Sequence, residues 1–355
     1  MAGGARLTQV PPMQIHRRAL IAATMVPVAA GHAPPSHGRE PSWRAAAPLP
    51  WPAQEVHAAV WNGRIAVAGG LVGRTDAPLH IEDRVGLYDP VADVWREGPR
   101  LPEPRHHPMM AVLGGDLWAI GGYGRGAGDW TNRTEVWRLS PGADAWRSGS
   151  GLPTPQAEAV GLAHAGRVHL ITGRSPRDGV NGQWRDQIDV ATHLVLHGDR
   201  WETARPCPMA RNSAAGAVLE GALWIAGGRI VEGGGTGRLD RYDPAADRWD
   251  TVAPIPVSPA SGRQVGGGLA MAALGGRLVA FGGEWFHRAA PGGGGVFAET
   301  WLYHPHEDVW RAGPPMRTPR HGLAAATVGG TVYAIAGGEV VSGGRAGGLN
   351  ESLGL

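Results

Sequence analysis

Residues 211–249 read RNSAAGAVLEGALWIAGGRIVEGGGTGRLDRYDPAADRW, and this stretch decides the fold. Its landmarks are two short apolar runs with a turn glycine between them, a Gly-Gly pair, a variable glycine-rich segment, Tyr-Asp-Pro, and a tryptophan seven residues after the tyrosine. The pattern recurs along the chain with glycine pairs 51 to 55 residues apart. The pairs begin at Gly69, Gly121, Gly227, Gly282 and Gly337, and Thr172-Gly173 fills the remaining gap. Six similar units therefore follow one another.

Each landmark predicts a local structure. The runs AGAVL and ALWIA are too short for helices and are bounded by glycines, so they predict strands buried on both faces. Tyr242-Asp243-Pro244 predicts a type I turn into an outer strand, because Asp is favoured at its first position and proline fixes φ at the second. Four short strands in each of six units predict an all-β fold, a six-bladed β-propeller with four antiparallel strands per blade.

The phase of the repeat predicts how the ring closes. Trp43 precedes the first unit, whereas the sixth unit ends near Leu353 without a tryptophan of its own. We therefore expect residues 41–46 to supply the missing outer strand of blade six and to pair its open edge. The blades then lie at residues 47–95, 96–146, 147–201, 202–249, 250–310 and 311–355 plus 41–46. Blade three has Leu196-His197-Gly198 in place of Tyr-Asp-Pro, so we expect a tighter turn there.

Residues 1–40 lie outside the repeat and predict a signal peptide with a linker, ahead of a propeller over residues 41–355. Arg17 and Arg18 precede an apolar run and a small-residue stretch, the order typical of a secretory signal, and the arginine pair is similar to a twin-arginine export signal. We expect a bacterial periplasmic or secreted protein with no membrane span after signal removal, because the apolar run is too short to cross a bilayer. A disordered N-terminal tail is the alternative, and translation from Met1 or from Met13 stays open.

Composition argues against nucleic acid as a partner. All 33 basic residues are arginines, the net charge is only +2, and the 31 acidic residues are interspersed with them. No basic run or aromatic-basic stripe is present. The single cysteine, Cys207, excludes an intramolecular disulfide.

Candidate functional residues lie on one face of the predicted disc. The loop entering the first strand of a blade and the loop leaving the second strand must share a face, and loops on a rigid scaffold carry function. Ligand-binding candidates at the first-strand entrances are Arg105, His106, His107, Gln156, Glu158, Arg211, Asn212, Arg320 and His321. Candidates that follow the glycine pairs are Arg174 and Arg229 for binding, and Glu284 and Glu339 for catalysis.

These residue types suit a carboxylate-bearing ligand, because an arginine fork pairs with a carboxylate through two charge-assisted hydrogen bonds. The variable loops of the same face also carry aromatic side chains, which suit sugar rings or apolar groups of a partner. They are Trp130, Trp184, Trp285 and Phe286. The alternative is structural: Arg and Glu at equivalent positions can bridge neighbouring blades. We expect no metal and no cofactor, because the adjacent His106 and His107 point to opposite sides of a strand.

The combination of Pro-Arg, Gly-Gly, Tyr-Asp-Pro and Trp resembles kelch repeats over residues 41–355, which implies the propeller fold. Kelch domains of ubiquitin-ligase adaptors bind acidic peptides through Arg, Asn and Ser at the start of the first strand. Similar positions are occupied here by Arg105, Arg211, Asn212, Ser213 and Arg320. We nevertheless expect no adaptor of that kind, because no BTB or BACK segment precedes them.

Two enzyme families with kelch propellers offer further comparisons. The bacterial sialic acid epimerase (mutarotase) group is similar in size, export and ring closure. That resemblance implies anomer exchange by Glu284 or Glu339, with an arginine such as Arg229 holding the sugar carboxylate. Galactose oxidase uses copper and a tyrosine crosslinked to cysteine on seven blades. Cys207 and the tyrosines at 88, 242 and 303 do not reproduce that constellation, so we do not expect a copper oxidase.

Two hypotheses on function stay open. The first is a monomeric, non-catalytic propeller that binds a glycan or a protein through the channel face. The second is an anomerase or epimerase acting on an acidic sugar such as N-acetylneuraminate. Catalysis needs a carboxylate that no arginine neutralises. If Arg174 and Arg229 saturate both Glu284 and Glu339, the enzyme hypothesis fails.

Overall fold

Six four-stranded antiparallel sheets form the ring in this computed structural model, which describes Met1 and residues 40–74, 77–125, 130–231, 234–287 and 293–355. The compact unit that carries the sheets is Pro41–Leu355. The signal peptide predicted within residues 1–40 falls on residues 2–39, outside the described part of the chain. In the described part, no helix is both long enough and apolar enough to cross a membrane.

Each blade runs from an inner first strand to an outer fourth strand. Blades one to three comprise His57–Trp61, Arg64–Ala68, Val85–Asp89 and Val94–Gly98; Met109–Leu113, Asp116–Ile120, Val136–Leu139 and Arg147–Ser148; and Val160–His164, Arg167–Ile171, His193–His197 and Arg200–Thr203. Blades four to six comprise Ala215–Leu219, Ala222–Ala226, Leu239–Asp243 and Arg248–Val252; Leu269–Leu274, Arg277–Gly282, Thr300–His304 and Val309–Ala312; and Ala324–Val328, Thr331–Gly338, Ala346–Leu353 and Arg44–Ala46. The predicted ends of blades one to five fall two or three residues before the ends of the observed fourth strands, whereas each predicted blade begins 10 to 19 residues before its first strand, within the linker from the preceding blade.

Short two-stranded ribbons extend the connection between the second and third strands in blades one to five. Their strands are Leu71–Arg74 with Ala77–Ile81, Tyr123–Arg125 with Trp130–Asn132, Arg174–Pro176 with Gln187–Asp189, Arg229–Ile230 with Gly234–Gly235, and Glu284–Phe286 with Gly294–Val296. A single-turn 3-10 helix, Trp184–Asp186, lies in the ribbon connection of blade three. These ribbons rise on the face that we call the loop face; the face that carries the turns between first and second strands is the turn face.

The predicted closure of the ring is confirmed. Arg44–Ala46 pairs with Ala346–Leu353 as the fourth strand of blade six, with Arg44 opposite Ser352. Trp43, only 4% exposed, lies 5.0 Å from the ring of Phe281 in blade five. Its indole N–H points at the Thr300 hydroxyl, 3.0 Å away. The closing segment therefore fastens blade six to blade five as well as completing blade six.

The burial of the inner strands follows the prediction in part. The run ALWIA, the second strand of blade four, is buried at all five positions. The run AGAVL alternates between buried and half-buried positions, so burial on both faces was wrong for this first strand. The physical reason is the central channel, which Ala215 and Gly216 line and which leaves one edge of each first strand without a paired neighbour.

The predicted turns between third and fourth strands are present. In blade four the Asp243 carboxylate accepts hydrogen bonds from the backbone N–H groups of Ala245 and Ala246, at 3.0 and 3.2 Å, which fixes the turn that Pro244 initiates. In blade three the strands end at His197 and resume at Arg200, so the turn is shorter by two residues, as expected.

An aspartate two residues before the tryptophan links neighbouring blades, a feature that the repeat pattern did not reveal. Asp247 has φ +44° and accepts hydrogen bonds from the Tyr242 hydroxyl at 2.8 Å and from the Arg205 backbone N–H at 3.0 Å. Trp249 donates its indole N–H to the Arg205 carbonyl at 2.9 Å. The same indole bond to the preceding linker is made by Trp95 to Ala47, Trp146 to Pro99, Trp201 to Ser150 and Trp310 to Ala253.

A buried histidine pair lies in the degenerate blade three. Nδ1 of His193 donates to the Arg205 carbonyl at 3.2 Å, so its Nε2 carries the lone pair that accepts from Nδ1 of His169 at 2.9 Å. Both rings pack near Tyr242 of blade four. Burial lowers the pKa of His193 to about 4, and burial together with the charge of His193 lowers the pKa of His169 to about 3. Neutral imidazoles are therefore part of the packing between these blades.

Mild acid is expected to destabilise the protein through this pair. The folded-state pKa of His193 lies below the unfolded value of 6.5, so the unfolded chain binds the proton first and stability falls as the pH drops from about 6.5 towards 4. From pH 7 to pH 5 the loss for His193 is about 2 kcal/mol of unfolding free energy, with His169 acting in the same direction. Urea unfolding at both pH values measures it. The H169V/H193L variant should show a smaller loss, and an unchanged pH dependence would contradict this assignment.

Candidate functional site

Backbone hydrogen bonds join five of the six pairs of neighbouring blades where the first strands begin. The residues at this position share left-handed φ values between 50° and 71°: Glu55, His107, Glu158, Ser213, Gly268 and Gly322. We call them the mouth ring. The N–H of one member donates to the carbonyl of its neighbour in the pairs His107 to Glu55, Ser213 to Glu158, Gly268 to Ser213, Gly322 to Gly268 and Glu55 to Gly322, at 2.7 to 3.1 Å. A left-handed residue is uncommon outside glycine, so its recurrence here marks a conformation imposed by the ring.

One side of the mouth ring carries a buried carboxylate–imidazole pair. Oε2 of Glu55 lies 2.7 Å from Nε2 of His107, and Nδ1 of His107 lies 2.9 Å from Nδ1 of His106. Burial opposes a charge on His107, but the Glu55 carboxylate outweighs it and raises the pKa of His107. Burial and the charge of His107 lower the pKa of His106 to about 3. A protonated His107 donating to a neutral His106 satisfies both observations.

The second carboxylate of the ring, Glu158, is held by donors. It accepts hydrogen bonds from the Tyr123 hydroxyl at 2.8 Å and the Ser213 hydroxyl at 2.6 Å, and Nη2 of Arg229 lies 3.6 Å away. Burial alone would raise the pKa of Glu158, but the charges of His107 and Arg229 lower it to about 2. Glu158 is therefore ionised at neutral pH and cannot donate a proton there.

Of the two catalytic candidates, Glu284 is paired with Arg229, whereas Glu339 forms no ion pair with Arg174 or Arg229 in the described part of the chain. Arg229 bonds Oε1 of Glu284 at 2.5 Å, and the Ser342 N–H bonds Oε2 at 2.8 Å. Glu339 is half-buried. Arg174 instead lies 3.9 Å from the ring of Trp184 and donates to the Gln187 carbonyl at 2.6 Å. The enzyme hypothesis was to fail if arginines neutralised both carboxylates, and this condition is met for Glu284 only.

The three arginines aligned at the first-strand entrances are completely buried within their own blades. Each pairs with a carboxylate near the third strand: Arg105 with Glu135 at 3.0 Å, Arg211 with Asp240 at 2.8 Å, and Arg320 with Glu351 at 2.9 Å. Gln156, the equivalent in blade three, donates to the Thr192 hydroxyl at 2.9 Å. A neutral amide and hydroxyl thus replace the ion pair, which supports a structural role for this position.

The remaining predicted residues lie between the mouth ring and the loops above it. Asn212 donates to Asp189 at 2.6 Å and accepts from Nε of Arg229 at 3.0 Å. His321 donates its Nε2–H to the Val340 carbonyl at 2.9 Å, and its Nδ1 lies 3.4 Å from Glu284. Arg229 is therefore the hub that connects Asn212, Glu158 and Glu284.

Below the mouth ring the channel widens into a cavity of about 170 Å³. Of the predicted residues, His107 and Glu158 line it. Ser213, singled out in the sequence only through the resemblance to kelch adaptors, also lines it. Glu55 and His57 line it too and were not selected from the sequence, although Glu55 aligns with His107 and Glu158 in the repeat. Among the described residues, no three His, Cys, Asp or Glu side chains are grouped as metal ligands.

The loop face carries an apolar and cationic rim. Phe286 is 51% exposed, and the Arg229 guanidinium lies over its ring at 5.5 Å, which places Phe286 beside the mouth ring. Val180 and Val231, in the connections of blades three and four, are also exposed. Trp285 lies under the guanidinium of Arg263 at 5.4 Å.

Comparisons with known proteins agree with the repeat pattern. No protein-family model matches the chain. The chain is 30% identical over 155 residues to kelch repeat protein M-T8 of Myxoma virus (strain Lausanne), which covers 44% of this chain and 28% of that protein. It is 29% identical over 213 residues to human Kelch-like protein 34, covering 58% of this chain and 32% of that protein. The matches thus span less than half the length of these curated relatives.

A solved structure extends the comparison to the whole ring. The structure of YjhT matches with a TM-score of 0.70 at 16% identity, covering 87% of this chain and 96% of that chain. At this identity the likeness concerns the fold alone. The chain therefore has kelch-repeat proteins as homologues and is itself an all-β, six-bladed β-propeller.

Proposed function

We propose that this protein is a non-catalytic binding module that recognises a protein partner through its loop face. The observation that carries the proposal is the rim beside the mouth ring, where Phe286 stands exposed against the Arg229 guanidinium. Exposed aromatic and arginine side chains are the residues that dominate binding energy at protein interfaces. If the signal predicted within residues 1–40 directs export, the partner lies outside the cytoplasm.

The charge of the rim indicates the kind of partner. Arg177, Arg185 and Arg345 are exposed in the connections of blades three and six on this face. Together with the apolar side chains of Phe286 and Val231 they favour an acidic segment that also carries apolar residues. Charge complementarity of this type steers association and fixes the register of the complex.

The contacts of the carboxylates count against the anomerase alternative. Glu284 is bonded by Arg229 and by a backbone N–H, and Glu158 is bonded by two hydroxyls. A general acid or base must be available to a bound substrate, and these two are occupied by the protein itself. Glu339, the other catalytic candidate, is not paired with Arg174 or Arg229 among the described residues, but it does not line the central cavity. We therefore rank protein binding above glycan binding, and both above anomer exchange on an acidic sugar.

The test is a screen of immobilised random dodecapeptides with the full chain, followed by titration of the tightest binder. We expect acidic peptides with apolar residues to be enriched, and F286A to weaken the selected peptide by about tenfold or more, as for a central interface residue. V91A is the matched control, because Val91 is exposed on the turn face. Binding confined to a glycan array would contradict the proposal, as would acceleration of N-acetylneuraminate mutarotation measured by NMR exchange.

A further inference from the structure

The central cavity is a candidate site for a small molecule, separate from the protein-binding surface proposed above. Its end wall is the mouth ring, because all six members of that ring line it. Its side wall is formed by the first strands, with apolar side chains such as Val56, Met110, Leu162, Leu269 and Met271. The volume of about 170 Å³ slightly exceeds the roughly 150 Å³ apolar cavity that binds benzene, so a molecule of similar size can be accommodated.

Access to the cavity is from the turn face. At the loop side, the Arg229–Glu284 ion pair lies against the mouth ring, and both His107 and Glu158 are buried. Towards the turn side the first strands are open to solvent: Val60 is 41% exposed, and Ala163 is exposed as well. A ligand that enters from this side passes the apolar side wall first and reaches the mouth ring last.

One link of the mouth ring is missing at this end wall. Each of the six members has a backbone N–H and a carbonyl, but only five of the six neighbouring pairs are bonded. The N–H of Glu158 and the carbonyl of His107 belong to the sixth pair, and neither forms a hydrogen bond within the described part of the chain. Both residues are more than nine-tenths buried. A buried peptide group without a partner is costly, so the gap favours a molecule that can bond both groups.

The side chains that line the cavity select against a charged ligand. Oε2 of Glu55 lies 2.7 Å from Nε2 of His107, and Glu158 accepts hydrogen bonds from two hydroxyls, so each lining carboxylate already has a partner in the protein. Burial and the charge of His107 lower the pKa of His57 to about 4, which leaves this lining imidazole neutral at neutral pH. An ionised ligand would lose its hydration on entry and would meet no unpaired charge among the described lining residues.

The side wall offers hydrogen bonds as well as apolar contacts. In every blade the first strand stands at the end of its sheet, so its inner edge has no neighbouring strand. Such an edge presents unpaired backbone N–H and carbonyl groups. A pure hydrocarbon would cover these groups without bonding them, which opposes its binding. The cavity therefore suits a neutral ligand that combines an apolar body with both a donor and an acceptor.

We propose that the central channel binds a small neutral carboxamide, which enters from the turn face and bridges the missing link of the mouth ring. The amide carbonyl accepts from the Glu158 N–H, and the amide nitrogen donates to the His107 carbonyl. A primary amide presents this acceptor and this donor side by side without a charge. Its short apolar body lies against Leu162 and Met271, where it loses contact with water.

The experiment uses isobutyramide as the probe and compares it with two molecules of the same shape. Methyl isopropyl ketone has a methyl group in place of the amide nitrogen and so lacks the donor, and isobutyrate has a charged oxygen there. Calorimetric titration of the full chain should give a Kd on the order of 1 mM for isobutyramide, with the ketone about tenfold weaker and isobutyrate weaker still. No binding of isobutyramide, or equal binding of the ketone or of isobutyrate, would overturn the proposal.

Backbone amide signals locate the bound head group without any substitution. In nitrogen–proton correlation spectra, the Glu158 amide should shift more than the other mouth-ring amides as isobutyramide is added. In the free protein its amide hydrogen should exchange faster than those of Ser213 and Gly268, which are bonded within the ring. A Glu158 signal that stays in place at saturating isobutyramide would refute the assignment.

A pair of variants tests the side wall. L162W fills the cavity and keeps the mouth ring, so it should abolish isobutyramide binding, while V91W adds the same ring at an exposed position of the turn face and should leave the affinity unchanged. Unaltered affinity in L162W, shown to be folded by circular dichroism, would place the ligand elsewhere. The Glu158 signal decides the question if L162W does not fold. The peptide titration with F286A is independent of these results, so either proposal can fail alone.

Discussion

Replacement of Trp43 by alanine is expected to lower the free energy of unfolding by about 3–5 kcal/mol, the range for removing a buried aromatic side chain. The loss combines the packing against Phe281 with the indole hydrogen bond to Thr300. Chemical denaturation monitored by tryptophan fluorescence and circular dichroism measures it. R44A is the control: Arg44 is the next residue, it is exposed, and its backbone pairing does not depend on its side chain.

Truncation separates the closing strand from the segment before it. Removal of residues 1–40 should leave the melting temperature unchanged, because Trp43 and Arg44–Ala46 remain. Removal of residues 1–46 exposes the edge of Ala346–Leu353, so we expect a lower melting temperature and concentration-dependent association through the unpaired edge. Equal melting temperatures for the two truncations would show that the closing strand contributes nothing measurable.

The second large effect is expected at Arg320. Its guanidinium bonds Glu351 at 2.9 Å and the carbonyls of Ala334, Ala336 and Thr318 at 2.8 to 3.0 Å, with no exposed surface. R320M keeps the apolar stem but leaves the buried Glu351 carboxylate without its cation, which costs about 3–5 kcal/mol of unfolding free energy.

Arg317 provides the matched control for this change, because it lies three residues earlier and its side chain is exposed. R317M should alter the unfolding free energy by no more than about 0.5 kcal/mol. If R320M were as stable as R317M but impaired peptide binding, Arg320 would belong to the binding surface and its structural assignment would be wrong. The outcome therefore decides between the two interpretations that the sequence left open.

The architecture was predictable because its landmarks are local and repeat. Gly-Gly, Tyr-Asp-Pro and Trp recur at nearly fixed spacing, so the number of blades follows from the sequence alone. The unmatched Trp43 and the truncated unit at Leu353 were sufficient to predict the closing strand, since an unpaired edge needs a partner.

The sequence predicted which loops carry the candidate site, but it did not predict which of their side chains line the cavity. Alignment of the repeats cannot tell which side a side chain takes after a residue with positive φ. His106 stacks on Tyr123, whereas the adjacent His107 lines the cavity. Arg105 in turn points into its own blade towards Glu135, at 3.0 Å. Three consecutive residues thus have three different environments, which the left-handed conformation of His107 decides.

The pairing of Arg44 with Ser352 has a bearing on biosynthesis. A ribosome that adds about 5–20 residues per second needs roughly 15–60 s to cover the interval between these two residues. Throughout that time the first five blades can assemble one after another, but blade six cannot form because its third strand has not yet been synthesised. A nascent chain of this protein is therefore an open arc until the strand Ala346–Leu353 emerges, and the circle is completed in a single late event.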